Sequence, residues 1–153
     1  MSKQQIVKRV AAQIKQQLDT MQEAARVSHE ASTGEDAKAE SKYDTRGLEA
    51  SYLADAQAEQ CQILTRSLHI FESLTLDDLP AGSSVEPGAL VEGTLDGNIC
   101  YYLLTPCAGG ITIEHDGFDL TTLSPDAPLY QNLLDCNVGE KLERPPLLIL
   151  EIS

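Results

Sequence analysis

The chain has no tryptophan, two phenylalanines and five tyrosines among 153 residues. Aromatic side chains carry much of the buried area in large cores, so any sheet here must be held by aliphatic residues. Basic residues are also scarce: 11 Lys and Arg stand against 24 Asp and Glu, a formal net charge of −13. Sequence-independent grip on nucleic-acid phosphates needs clustered Lys and Arg, and this composition excludes it. No run approaches the roughly 20 apolar residues of a membrane span. Met1-Ser-Lys-Gln-Gln-Ile-Val-Lys-Arg lacks the apolar stretch and small-residue cleavage site of a secretory leader. The four cysteines, Cys61, Cys100, Cys107 and Cys136, form no CxxC pair and have no histidine at finger spacing. Reduced thiols in a cytoplasmic protein without a zinc site are therefore expected.

What is present is unevenly distributed. Thirteen acidic residues lie between Asp77 and Ser153, against only Lys141 and Arg144. From Met1 to Ser28 the balance reverses, with five Lys and Arg against Asp19 and Glu23. Such a chain suits docking to a basic protein surface, although solubility alone also explains the charge.

Two segments carry helical periodicity. Val7, Ala11, Ile14, Leu18, Met21 and Ala25 recur at steps of three and four, as do Leu53, Ala56, Gln60, Ile63, Ser67, Ile70 and Leu74. Each stripe is apolar on one side only and needs a partner. The spacing predicts an antiparallel coiled-coil hairpin over residues 1–76, its first helix roughly 40 Å long at about 1.5 Å per residue. Its tip, near residues 33–47, holds the acidic segment Gly34-Glu-Asp-Ala-Lys-Ala-Glu-Ser-Lys-Tyr-Asp44. Carboxylates so placed suit delivery into the active site of another protein.

The second half has different punctuation. A turn-rich linker occupies 77–87, and residues 88–153 read as a small sheet domain. Strands are expected at Ala89–Leu95, Ile99–Leu104, Ile111–His115, Phe118–Leu123 and Leu147–Ile152. Asp96-Gly97 and Asp116-Gly117 mark hairpin turns. Pro128 opens a short helix, Leu129–Cys136, since proline is tolerated in a first turn. Phe118, Tyr101, Tyr102, Leu129, Leu133 and Leu134 are candidate core. The fold class is α+β, a helical hairpin followed by a mostly antiparallel sheet with one short helix.

The order of hairpin, linker and sheet domain resembles the bacterial Gre-type transcript cleavage factors, the GreA/GreB-like elongation factors. The most specific element is Leu123-Ser-Pro-Asp-Ala-Pro-Leu-Tyr-Gln-Asn-Leu-Leu-Asp-Cys-Asn-Val-Gly-Glu-Lys-Leu142. It is similar to the family's C-terminal signature of Ser-Pro, a second Pro-Leu element, a Leu-Leu pair and a Val-Gly-acid turn. Asp36, Glu40 and Tyr43 are similar in kind to the family's acidic tip and its acid-Tyr step. The resemblance implies an FKBP-like C-terminal domain that binds RNA polymerase at the rim of its secondary channel, which the coiled coil enters. It implies that tip carboxylates help hold a second Mg²⁺ shared with the polymerase, promoting cleavage of a backtracked transcript. The chain would then be no enzyme but a monomeric cofactor of the polymerase, meeting the RNA 3′ end only inside it.

On that basis Asp36 and Glu40 are the candidate metal-assisting residues, Glu35 and Asp44 the alternates, and Tyr43 and Lys42 candidate contacts to the RNA end. The family pair stands three apart, whereas Asp36 and Glu40 stand four apart, a spacing that shares a face only in a helix. Thr33-Gly34-Glu35-Asp36 also reads as a capped helix start, with acids at the positive dipole end. Lys38, Lys42 and Arg46 also suit surface pairs with neighbouring acids. A non-cleaving regulator that occupies the same channel is the alternative function. Prolyl isomerisation, prompted by the implied fold, lacks the aromatic pocket it requires.

Overall fold

The computed structural model describes the backbone of residues 1–33 and 46–153, and side chains other than those of residues 25, 28, 29 and 31–54. Helix α1 spans Lys3–Thr33 and α2 spans Arg46–Ser73. Strands β1 (Leu90–Leu95), β2 (Asn98–Leu104), β3 (Thr112–His115) and β4 (Phe118–Leu123) follow, then α3 (Pro128–Leu133) and β5 (Leu147–Ile152). The chain divides into two compact units, one of residues 1–11 and 70–153, the other of residues 12–69.

The start of α1 is set locally. Ser2 Oγ accepts from the Gln5 backbone N–H at 3.2 Å, and Gln5 Oε1 accepts from the Ser2 N–H at 2.8 Å. This reciprocal capping box satisfies two main-chain donors that a helix N-terminus leaves orphaned. In the second unit Ile14, Leu18 and Leu64 are buried. Farther along α1, exposed Arg26 bridges Glu23 and Glu30, each at 2.6 Å.

The stripe expected on α2 holds at Ser67 and Leu74 but is displaced by one residue elsewhere. Ile63 and Ile70 are 47% and 41% exposed, and Ala56 and Gln60 are exposed as well. Leu64, Ser67 and Phe71 are buried, with Gln57, Cys61, Leu68 and Leu74 half-buried. Apolar residues occupy two neighbouring sides of this helix, so spacing alone does not choose between them. Burying Leu64, Leu68 and Phe71 removes more apolar area from water than burying Ile63 and Ile70.

The five strands form one sheet in the order β3-β4-β2-β1-β5. Three neighbouring pairs are antiparallel and β2–β4 is parallel, so the antiparallel expectation holds except at that pair. The chain crosses from β2 to β3 through residues 105–111, placing β3 at the edge and returning β4 beside β2. Buried Thr122 secures this crossover: its hydroxyl donates to Ala108 O at 2.6 Å and accepts from Ile111 N–H at 3.0 Å. Both hairpins turn as expected. Asp96 and Gly97 have φ of 51° and 82°, and Asp116 and Gly117 have 51° and 83°. Positive φ at both central residues is what a type I′ turn requires.

The core is aliphatic. Val91, Leu104, Leu123, Leu147, Ile149 and Ile152 of the sheet meet Tyr130 and Leu133 of α3, with Val85, Ala89 and Cys136. Pro128 sits in the first turn of α3, which ends three residues earlier than expected. Phe118, expected in the core, is 41% exposed instead, because it begins β4 beyond the last buried layer at Leu120. The outer edge of β5 is partly covered by residues 139–142, through Gly139 N–H to Ile149 O, Ile149 N–H to Glu140 O and Leu142 N–H to Leu147 O.

A bulge between β1 and β5 organises the sheet's other face. Glu92 opposes Glu151, but Gly93 opposes Ile149, so Leu150 is an extra residue. The insertion changes the inward-outward parity and returns Ile152 to the core beside Leu147 and Ile149. It requires close approach at Gly93, where a Cβ would lie 2.7 Å from Leu147 Cδ1 and 2.8 Å from Leu148 O. Gly93→Ala is expected to destabilise the fold by about 1–3 kcal/mol, the usual range for overpacking, measured by denaturant unfolding. An unchanged midpoint would show that β5 shifts freely.

Candidate functional site

The residues singled out at the tip, Glu35, Asp36, Glu40, Lys42, Tyr43 and Asp44, all lie outside the described residues. Helix α1 runs through Thr33 and α2 begins at Arg46, so the acidic segment joins these two helices in sequence.

The 123–142 segment is described in full. Ser124 Oγ donates to Asp126 Oδ1, and this bond holds the Asp126 carboxyl below its ordinary value. Gln131 Nε2 donates to Pro125 O at 2.8 Å, tying α3 back to the turn that precedes it. Asn137 Nδ2 donates to Glu140 Oε1 at 3.1 Å and lowers that carboxyl's pKa. Pro125 and Asp126 are exposed, while Tyr130, Leu133 and Cys136 point into the core. The segment is therefore a hydrogen-bonded surface turn leading into a helix that buries one face.

A polar cleft of about 340 Å³ lies wholly within the unit that contains the sheet. Its walls include Lys3, Asp78, Glu92, Tyr101, His115, Asp116 and Glu151. Lys3 is 4% exposed, and its ammonium donates to Asp77 O at 2.8 Å and Ser153 O at 2.9 Å. Burial pushes its pKa down, opposed by the fields of Asp78, Asp77 and Glu86. Glu92 and Glu151 face each other across β1 and β5, within hydrogen-bonding reach. Burial, then the Glu151 charge, raises the Glu92 pKa. Tyr101 is also pushed up, first by burial and then by Glu92, Asp116 and Glu151, so its phenol lies within the same negative field.

His115 closes the cleft. It is 5% exposed, its ring meets Tyr101 edge-on with centroids 4.6 Å apart, and its Nε2 lies 3.5 Å from Asp116 Oδ2. Its Nδ1 is buried with no hydrogen-bond partner. No local pattern groups Lys3, Glu92, His115 and Glu151, which are spread over almost the whole chain. The only available signal was the Asp116-Gly117 turn, which places Asp116 next to the edge-strand histidine. Among the described residues, no three His, Cys, Asp or Glu side chains converge as a metal site. No described helix is long and apolar enough to cross a membrane.

No family model matches the sequence, and no curated protein matches it. Solved structures similar to the chain include two from Thermus. One is GreA factor homolog 1 (Gfh1) of Thermus thermophilus, 17% identical over 94% of both chains with a TM-score of 0.36. The other is Gfh1 of Thermus aquaticus, 18% identical over 93% of this chain and 92% of that one, also at 0.36. At that TM-score the likeness carries no argument about function.

The Glu92–Glu151 pair has a consequence for stability. Its raised folded pKa means that the folded chain keeps a proton the unfolded chain has already released. Stability therefore falls as pH rises from the unfolded glutamate value, about 4.3, through the folded one. Glu92→Gln removes this loss and is expected to raise Tm by about 2 °C near pH 7, with no gain near pH 4. Thermal unfolding at the two pH values checks it; an equal shift at both would assign the effect to packing.

Proposed function

We propose that this chain is a Gre-like transcription elongation factor that binds RNA polymerase and acts through its secondary channel. The observation that carries the reading is the order of parts. Helices of 31 and 28 residues are joined by a segment holding Glu35, Asp36, Glu40 and Asp44, and are followed by a sheet unit that contains the 123–142 signature. In this reading α1 and α2 form an antiparallel coiled-coil hairpin, a pairing supported by a cavity in the second unit lined by Gln13, Gln17 and Met21 of α1 with Gln60 and Leu64 of α2.

Asp36 and Glu40 are the carboxylates assigned to the work inside the polymerase, with Glu35 and Asp44 beside them. They offer oxygen donors, the class Mg²⁺ takes while retaining several waters. When bound, the ion would supply an activated water and stabilise the leaving oxygen. The chain's own part is to bring negative charge to that place and, through Tyr43 and Lys42, to meet the RNA end. The chain would be a polymerase cofactor with no turnover of its own. The four-residue spacing of Asp36 and Glu40 favours a second reading, in which the chain occupies the channel and modulates the polymerase without cleavage.

Purified polymerase stalled on a backtracked transcript separates the two. The full chain is expected to shorten the RNA, and the Asp36→Ala/Glu40→Ala variant to slow that about 10- to 100-fold, the range typical of groups that tune a metal's affinity. Binding to the polymerase without RNA shortening would reject the cleavage reading in favour of the regulator. Absence of binding would reject both.

A further inference from the structure

We infer that the cleft at the β1–β5 bulge is a binding site for an arginine side chain of a protein partner. The inference stands apart from the proposed function, since none of its residues belongs to the acidic tip. Four carboxylates, those of Asp78, Glu92, Asp116 and Glu151, line the cleft, against the Lys3 ammonium and the Met1 amino group. That ammonium donates two of its three N–H groups to main-chain oxygens, Asp77 O and Ser153 O.

Two features mark this as more than an acidic surface. Glu92 and Glu151 are held directly opposite each other by the bulge, an arrangement that like charges oppose. A cation seated between them converts that repulsion into two charge-assisted hydrogen bonds. The second feature is His115, 5% exposed in the cleft wall, with Nδ1 buried and unpartnered. His115 Nε2 lies 3.5 Å from Asp116 Oδ2, which leaves Nδ1 as the ring nitrogen with no partner.

The chemistry selects guanidinium over ammonium. A planar fork with five N–H donors can serve two carboxylates on adjacent strands at once, whereas an ammonium acts as a point charge. The aromatic pair of Tyr101 and His115 at the wall suits a flat, weakly hydrated cation. A chain of net charge −13 adds a long-range field that draws a basic partner surface toward it.

The test uses the full chain and the capped tripeptide acetyl-Gly-Arg-Gly-amide, with lysine and norleucine counterparts, followed by NMR. Saturable shifts of the Tyr101 and His115 ring resonances are expected with the arginine peptide, with weaker ones for lysine and none for norleucine. Glu92→Gln and Glu151→Gln are each expected to weaken binding about tenfold, the equivalent of one lost charge-assisted hydrogen bond. Glu143→Gln, which removes the same charge from an exposed position outside the cleft, should leave binding unchanged. Absence of saturable shifts, or equal weakening by all three variants, overturns the site. A lysine peptide that binds as tightly overturns the assignment to guanidinium.

Discussion

Lys3, Gln4 and Arg9 each send a side-chain N–H to a main-chain carbonyl far along the chain. Lys3 reaches Asp77 and Ser153, Gln4 reaches Leu74 at 3.2 Å, and Arg9 reaches Glu114 at 2.7 Å. These bonds tie the first two turns of α1 to the segment after α2, the β3 edge and the residue that follows β5. They supplement buried Ile6, Val7 and Val10, which give that stretch its apolar content. In a unit with so few aromatic residues, cationic donors on carbonyl acceptors add about 1.5–3 kcal/mol each where water is excluded. The arrangement also explains why residues 1–11 group with the sheet unit.

The same attachment shapes the cleft. Lys3 is drawn to carbonyls, and the bulge at Gly93 brings Glu92 and Glu151 together on the face opposite the core. Four carboxylates thereby gather around the Lys3 ammonium and the Met1 amino group, and burial first, then the neighbouring acidic charges, raise the Glu92 and Tyr101 pKa values. A structure that holds like charges together is carrying a free-energy cost. An arriving cation can relieve it, and that links the stability of the sheet to binding at its surface.

Much of the sheet was legible in advance. Phe118–Leu123 and Leu147–Ile152 were bounded correctly, and the remaining strands to within one residue, because Asp-Gly turns and β-branched runs are local signals. The α2 stripe was not legible: Ile63 and Ile70 satisfy the helical period as well as Leu64 and Phe71 do, and only packing against a partner chooses. Phe118 was misplaced for a related reason. Alternation gives the side a residue faces, but not whether the core extends that far along the strand.

By itself the sequence determined the presence of the two long helices, the hairpin turns, the proline-started α3 and the acid-rich composition, since each follows from nearest-neighbour geometry or from counting charge. Only the tertiary structure decided the parallel β2–β4 pair, the bulge opposite Gly93, and the meeting of Lys3, Glu92, His115 and Glu151. These depend on contacts between residues up to 150 positions apart, as between Lys3 and Ser153. Such contacts leave no periodic trace, because the energy that selects them belongs to the assembled core and not to any short stretch of chain.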